Sequence, residues 1–277
     1  MAREITAGIC TSGSRIKTAL YASGKFSTLS RRELNQEKFL IPMLEKLLKK
    51  HNAALKDLSA VCVITGPGRF TGLRISLTFA AALKTLTGMK VYSSTLFEIL
   101  AMQALASRKF GAWAAGRKSP RLAAIVHAFK DEYFCQAFQV TGKQVTSCQS
   151  AKSPDCRLPG HQTGDLGRWS LATSYRSLVT GYKCAAVEAP RWLKDTEIAG
   201  YLNALGSELY VAADSEEKPE IYALVPAGFE KAPPAVSRIE PAFIIKTGLA
   251  LKNKSLKPLY LKPAKYELEN RKVTSKQ

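Results

Sequence analysis

The stretch that decides the fold is Gly66-Pro67-Gly68-Arg69-Phe70-Thr71-Gly72-Leu73-Arg74. An apolar run at residues 60–64 leads into it, and a helical run at residues 75–86 leads out of it. This order predicts a buried strand, a glycine turn and a helix. The three glycines permit backbone angles and close approaches that other residues forbid, and Thr71 is a candidate cap for the helix.

The glycine turn admits two hypotheses. Free amides at the start of a helix suit an anion, so the turn could cradle a phosphate. It could instead bring the helix tightly onto the sheet. The spacing matches neither the P-loop nor the Rossmann pattern, and no Lys followed by Ser or Thr comes directly after Gly72. The sequence therefore favours the structural role.

The composition predicts a globular protein with a basic surface. The chain has 277 residues, 46% of them hydrophobic, and a formal net charge of +19. That length is enough for one large or two small domains. The charge permits attraction to nucleic acid or to an acidic protein. It is concentrated at residues 108–121 and in the tail from Lys246, but closely interleaved aromatic residues are missing there, which favours a solvated basic surface.

Several classes of protein are disfavoured. No run of eighteen apolar residues appears, and residues 1–4 do not begin a secretory signal, so we expect a cytoplasmic protein without a membrane span. The six cysteines form no CxxC pair, which predicts buried free thiols in a reducing compartment. The three histidines, His51, His127 and His161, do not have metal-ligand spacing.

Periodicity predicts two α/β units. In the first, strands alternate with helices in the order of one ribonuclease-H-like domain: strands 5–10, 16–21 and 26–29, helix 34–50, strand 60–64, helix 72–86, strand 90–92 and helix 95–107. Pro42 predicts a kink in its helix or a later start.

A weaker copy of that order follows, after a predicted loop at residues 108–120. Its predicted elements are strands 122–127, 133–140 and 144–148, a loop at 150–167, helix 169–179, strand 183–187, helix 195–205, strand 208–212, an irregular stretch at 219–234, helix 241–251 and an extended end at 258–262. We therefore predict an N-terminal lobe at 1–107, a divergent C-terminal lobe at 108–262 and a basic tail at 263–277.

The deciding stretch also resembles a known family. Residues 66–76, GPGRFTGLRIS, resemble the GPGSFTGLRIG segment of the bacterial TsaB (YeaZ) proteins. Arg69 stands where the family has Ser, and the positions that agree are Gly66, Pro67, Gly68, Phe70, Thr71, Gly72, Leu73 and Arg74. The closing residues 258–262, PLYLK, are similar to the family's Pro-x-Tyr-Leu-Arg. The middle, 150–250, carries no motif that aligns.

The chain departs from the family pattern at two strand ends. Cys10 replaces the Asp that precedes Thr11 and Ser12. In sugar-kinase-type relatives that carboxylate helps to position metal and nucleotide, and a thiol cannot replace it for Mg²⁺. His127 replaces an Asp and Phe129 an Arg, whereas Ala128, Lys130, Glu132 and Tyr133 are compatible with the family. No acid partner or nucleophile pattern accompanies His127, so local hydrogen bonding is favoured over a role as catalytic base.

The resemblance implies a fold and a function. The fold is that of the actin and sugar-kinase (ASKHA) group, with two ribonuclease-H-like lobes. The function is that of a non-catalytic subunit that supports a TsaD-like transferase in forming N6-threonylcarbamoyladenosine at position 37 of tRNA, joined by a TsaE-like ATPase. It implies no catalytic residue, metal or cofactor in this chain, since ATP and metal belong to the partner subunits.

The resemblance also places a contact between chains, because in the family the helices at 34–50 and 72–86 form the dimer interface. The candidate interface side chains are Leu40, Leu44, Leu47, Leu48, Leu73 and Leu77. A homodimer and indirect or weak binding of tRNA are compatible with this. Two other functions stay open: a nucleotide-dependent transferase or kinase of the same fold, and a basic tRNA-binding module.

Overall fold

The structure is a computed structural model that describes residues 4–142 and 182–262. The elements predicted at 144–148, 150–167 and 169–179, and the tail at 263–277, lie outside these residues.

The first sheet contains five strands in the order β3-β2-β1-β4-β5, namely β1 (Thr6–Cys10), β2 (Arg15–Ala22), β3 (Lys25–Arg32), β4 (Ala60–Gly66) and β5 (Lys90–Thr95). The first three strands are antiparallel, and β1, β4 and β5 are parallel. All residues of β1 and β4 are buried, which explains why both read as continuous apolar runs rather than alternating ones.

Helices cover both faces of this sheet. Helices α1 (Gln36–Lys50) and α2 (Phe70–Thr87) pack together on one face. Helix α1 begins two residues later than predicted, and Pro42 lies inside it. Helix α2 ends one residue after the predicted bound of 86, because Gly88 adopts the left-handed conformation with a φ of 68°.

The second sheet repeats this connectivity. Its order is β11-β10-β6-β7-β8, with β9 also paired to β7, and its strands are β6 (Arg121–Phe129), β7 (Glu132–Thr141), β8 (Lys183–Ala186), β9 (Arg191–Lys194), β10 (Leu209–Ala213) and β11 (Glu230–Lys231). Strands β6 and β7 are antiparallel, whereas β6, β10 and β11 are parallel. Helix α5 (Asp195–Ala204) covers one face. The prediction of two ribonuclease-H-like lobes is confirmed.

Two helices join the lobes. Helix α3 (Leu96–Leu105) starts with a capping box between Thr95 and Glu98, and it packs on strands of both sheets. Helix α6 (Pro241–Leu251) follows the second sheet in the chain but packs on the first sheet, opposite α1 and α2. Gly8 and Gly248 permit this, because a Cβ at Gly8 would lie 2.8 Å from Ile245 and one at Gly248 would lie 2.7 Å from the Cys62 sulfur. The lobe boundaries at 107 and 262 stay a prediction.

Three predictions about local structure are wrong. The loop predicted from residue 108 contains helix α4 (Arg108–Ala114), because the Ser107 hydroxyl caps it and Phe110 is fully buried beside Trp113, Tyr182 and Tyr210. The irregular stretch contains a 3-10 helix at Pro219–Leu224 and strand β11. Thr71 does not cap α2: the helix already begins at Phe70, so Thr71 is exposed in its first turn.

Candidate functional site

The glycine turn packs against the residues that follow β1. The Thr11 hydroxyl donates a hydrogen bond to the Gly72 carbonyl oxygen at 2.5 Å, and the Arg69 amide donates to the Ser12 carbonyl oxygen at 2.8 Å. A Cβ at Gly72 would overlap the Thr11 carbonyl oxygen and lie 2.9 Å from its carbon. One at Gly68 would lie 2.6 Å from the Ser12 Cβ. The close packing predicted for the turn is confirmed.

The closing segment, residues 258–262, lies on the other side of the same turn. The Leu259 amide donates to the Thr65 carbonyl oxygen at 2.7 Å, and Gly66, with a φ of 135°, leaves room for the Leu259 carbonyl. The Tyr260 ring lies 5.2 Å from the Phe70 ring. The two stretches that resemble the TsaB family are therefore in direct contact, although almost two hundred residues separate them in the chain.

Arg74 of the glycine turn and Lys262 of the closing segment make the outer contacts where these two segments meet. The Arg74 guanidinium lies 3.9 Å from the centre of the Phe70 ring, on the first lobe. The Lys262 ammonium donates to both carboxylate oxygens of Glu132, at 2.6 and 2.9 Å, and lies over the Trp192 ring of the second lobe. The closing segment therefore connects the glycine turn to strands β7 and β9.

A cavity of about 380 Å³ lies between the lobes, at the carboxyl ends of β1 and β10. Ligand sites of α/β proteins commonly occupy such positions. The first lobe contributes the turn after β1, cations from β2 and the glycine turn, and the second lobe contributes the end of β6 and the residues after β10. The polar residues that line it are Cys10, Ser12, Arg15, Lys17, Arg69, His127, Asp214 and Glu217.

Two carboxylates of the second lobe, those of Glu216 and Glu217, contact the first lobe, and Glu217 lines the cavity. Glu217 Oε1 accepts hydrogen bonds from the Ser14 amide and the Ser14 hydroxyl, both at 2.7 Å. Glu217 Oε2 lies 3.9 Å from the Arg69 guanidinium. Glu216 pairs with Lys17 and, at 3.3 Å, with Arg15. These contacts join the end of β10 to the first lobe.

Two further titratable groups lie at the bottom of the cavity. The Cys10 sulfur lies 3.1 Å from the Ser12 hydroxyl, and burial raises the pKa of its thiol, so it stays protonated near neutral pH. Burial also raises the pKa of the Asp214 carboxyl to about 6, against the opposing effect of Lys17. A protonated Cys10 thiol does not supply the ionised oxygen ligand that Mg²⁺ prefers.

His127 makes the local hydrogen bond that the sequence favours. Its Nε2 lies 3.0 Å from the Lys130 carbonyl oxygen, in the turn between β6 and β7, and its ring contacts Tyr133. Phe129 lies beside it at the cavity mouth and is 61% exposed.

The six leucines predicted to form a partner contact are buried in the core of this chain. All are at most 8% exposed, within the chain's own core between the first sheet and helices α1 and α2: Leu40, Leu44, Leu47, Leu48, Leu73 and Leu77. Periodicity identifies an apolar face correctly but does not say whether a sheet or a second chain covers it. A contact through these helices would have to use other side chains, and Ile41 and Leu86 are exposed.

The basic residues at 108–121 are largely engaged within the chain. Lys109 pairs with Glu230 at 2.7 Å, Arg117 lies over the Trp113 ring, and Arg121 donates to the Leu205 carbonyl oxygen. They do not present an uninterrupted cationic face.

The remaining class predictions concern cysteines, metals and membranes. Cys10, Cys62, Cys135 and Cys184 are buried free thiols, as predicted, whereas Cys148 and Cys156 lie outside the described residues. Within residues 4–142 and 182–262, no cluster of three His, Cys, Asp or Glu side chains could hold a metal. In the same part of the chain, no helix is both long and apolar enough to cross a membrane.

The sequence misses the carboxylates of the cavity. Asp214, Glu216 and Glu217 follow a predicted strand, and an acidic group is unusual in so basic a chain. That position and charge are the signal that could have identified them.

Comparison with known proteins finds one family and two relatives that match part of the chain. Residues 33–156, somewhat less than half of the chain, match the family described as "TsaD: tRNA N6-adenosine threonylcarbamoyltransferase". The tRNA threonylcarbamoyladenosine biosynthesis protein TsaB of Buchnera aphidicola subsp. Schizaphis graminum is 31% identical over 102 residues, 36% of this chain and 49% of that protein. TsaB of Buchnera aphidicola subsp. Baizongia pistaciae is 31% identical over 61 residues, 22% of this chain. The matched segments thus span about half or less of these relatives, 49% and 28% of their lengths.

The fold is shared over nearly the whole chain. YeaZ from Pseudomonas aeruginosa superposes with a TM-score of 0.60 at 17% identity, over 93% of this chain and 100% of that one. A second Pseudomonas aeruginosa structure, described as similar to peptidase YEAZ, gives a TM-score of 0.59 at 17% identity over 94% of this chain. The partial sequence matches and the shared two-lobed fold therefore relate the chain to the TsaB (YeaZ) proteins, to which it is similar in part of its sequence and in its fold.

Proposed function

We propose that this chain is a non-catalytic subunit that binds a TsaD-like transferase and supports it in forming N6-threonylcarbamoyladenosine at position 37 of tRNA. The observation that carries the proposal is the sequence relation of part of the chain to two proteins named for this modification. A TsaE-like ATPase completes the assembly, and the partner subunits hold the ATP and the metal. The modification places the chain in the cytoplasm, with tRNA.

The cavity supports a role without catalysis. At the end of β1 the chain has a buried, protonated thiol in place of a carboxylate. The nearby amide of Ser14 is already bonded to Glu217, whose side chain lines the cavity. His127 uses its ring nitrogen within its own turn. None of these groups is arranged as a nucleophile with a base and a positioned third group, as acyl or phosphoryl transfer requires.

We propose that the contact with the TsaD-like subunit uses the exposed sides of α1 and α2. Ile41 on α1 is 44% exposed, and Leu86 at the end of α2 is 81% exposed. Large apolar side chains exposed on paired helices are suited to a second protein surface. A homodimer through the same helices would compete with this contact.

The proposal is tested by binding to the TsaD-like protein of the same cell. Both chains are purified separately and mixed, and their association is measured by sedimentation velocity. We expect a complex of defined stoichiometry with micromolar or tighter affinity, and no nucleotide hydrolysis or tRNA modification by this chain alone. A chain that ignores the TsaD-like protein, or that turns over substrate by itself, would contradict the proposal.

A further inference from the structure

We propose that Glu217, assisted by Glu216, is an internal anion: its carboxylate fills an anion-binding position between the lobes and keeps phosphate groups out of the cavity. This goes beyond the proposed function, since binding to a TsaD-like subunit does not require it. The proposal rests on how the first lobe is built around the Glu217 carboxylate.

The turn after β1 has the features of an anion cradle. The Ser14 amide and hydroxyl both point to Glu217 Oε1 at 2.7 Å, which is the geometry of charge-assisted hydrogen bonds. Gly13 makes the approach possible, because a Cβ there would lie 2.6 Å from that same oxygen. The backbone is therefore shaped to admit a negatively charged oxygen at this point.

Three cations surround the two carboxylates. Arg15 and Lys17 of β2 pair with Glu216, and Lys17 is only 5% exposed. Arg69 of the glycine turn reaches Glu217 at 3.9 Å. Arg69 stands where the related family stretch has Ser, so this chain carries a cation at a position where it can pair with its own second lobe. With Asp214 beside them, the two glutamates face these three cations, and removal of the two glutamate charges would leave an excess of positive charge that attracts another anion.

The carboxylates of Glu216 and Glu217 lie on the segment after β10, which several hydrogen bonds hold in place. The Asp214 carboxylate accepts a hydrogen bond from the Glu216 amide at 3.2 Å, and Ser215 bonds to the Ser237 carbonyl oxygen through its amide and hydroxyl, both at 2.9 Å. The side chains of Glu216 and Glu217 are 21% and 17% exposed. An anion from solution must therefore displace the largely buried Glu217 carboxylate before it contacts the Ser14 amide and hydroxyl.

The test removes the internal charge and measures pyrophosphate binding by isothermal titration calorimetry. We expect no detectable binding to the full wild-type chain in the millimolar range, and at least tenfold tighter binding to the double variant Glu216→Gln/Glu217→Gln. Adding Arg69→Ala to that double variant should remove most of the gain. Glu220→Gln, an exposed carboxylate on the same segment, is the matched control and should behave as wild type.

A further variant tests whether the anion takes the position of the Glu217 carboxylate. Gly13→Ala, added to the double variant, places a Cβ where the anion oxygen would lie and changes no charge, so it should remove most of the gain in pyrophosphate affinity. Circular dichroism and thermal melting establish that each variant is folded. Wild-type protein that binds pyrophosphate as tightly as the double variant, or a folded double variant that does not bind it, would overturn the proposal.

Discussion

Gly72 of α2 lies so close to Thr11 that the Thr11 hydroxyl bonds to the Gly72 carbonyl oxygen at 2.5 Å and no side chain fits between the two backbones. Gly72→Val should therefore lower the free energy of unfolding by about 3 kcal/mol or more, the range for a backbone clash in a core. Chemical denaturation measures it. Gly200→Ala is the control, since a Cβ at this exposed helix position meets nothing within 4 Å and should be neutral or slightly stabilising. A Gly72→Val protein with unchanged stability would contradict the packing.

A second prediction separates the buried and exposed sides of α1. Leu44 is fully buried, so Leu44→Glu should cost about 4 kcal/mol or more of stability, because an unpaired carboxylate would enter the core. Ile41 is 44% exposed, so Ile41→Glu should leave stability within about 0.5 kcal/mol and weaken association with the TsaD-like subunit. Thermal melting and sedimentation of both variants distinguish the two effects. An Ile41→Glu protein that binds with wild-type affinity would exclude this part of α1 from the contact.

Asp214 predicts a pH dependence of stability. Its pKa of about 6 in the folded chain exceeds the ordinary 3.8, so the folded state binds the proton more tightly than the unfolded state does. This contribution to stability is present below about pH 4 and is lost as the pH rises through about 6. The charged groups that act on Asp214 are Lys17, Glu216 and Glu217.

The difference between two proteins isolates this effect. Asp214→Asn cannot titrate, so between pH 4 and 7 its free energy of unfolding should fall less than that of wild type, by up to about 3 kcal/mol. Denaturation at each pH gives both curves, with Glu220→Gln as a control for an exposed carboxylate. Parallel curves for wild type and Asp214→Asn would show that Asp214 is ionised normally.

The basic tail yields a prediction about tRNA. If the charge contributes to binding, tRNA affinity should fall steeply with salt, and removal of residues 263–277 should flatten that dependence. The truncation keeps Lys262, because Lys262 pairs with Glu132 of β7. Titrations at several salt concentrations give the slope. An unchanged slope would mean that the tail does not contact tRNA.

The sequence predicts most helices and strands of this fold well, because the side chains that they bury recur at the spacing of a helix or a strand. Helix α6 was predicted at its observed bounds, since an apolar helical pattern begins at Pro241 and ends at Leu251. Strand β9 was missed, because it has only four residues and none of them is fully buried. Helix α4 was missed because only two of its residues, Phe110 and Ala114, are buried, among basic neighbours.

The candidate site is less accessible to sequence reasoning. The glycine turn was identified from its residues, and so was the change at Cys10. The contacts of Glu217 with Ser14 and of Lys262 with Glu132 join residues more than a hundred positions apart, and a pattern in one sequence carries no information about such pairs. The leucines of α1 and α2 illustrate the same limit, because their apolar pattern fits a sheet and a partner equally.

The central claim is that this chain supports a TsaD-like transferase without catalysing the reaction. The most direct measurement is formation of N6-threonylcarbamoyladenosine on tRNA, quantified by mass spectrometry of digested nucleosides, with purified TsaD-like and TsaE-like proteins, ATP and a threonylcarbamoyl donor. We expect product when this chain is present, little when it is omitted, and none when it is the sole protein. The Ile41→Glu variant should reduce the yield, and Glu220→Gln should not. Equal product with and without the chain, or product from the chain alone, would contradict the claim.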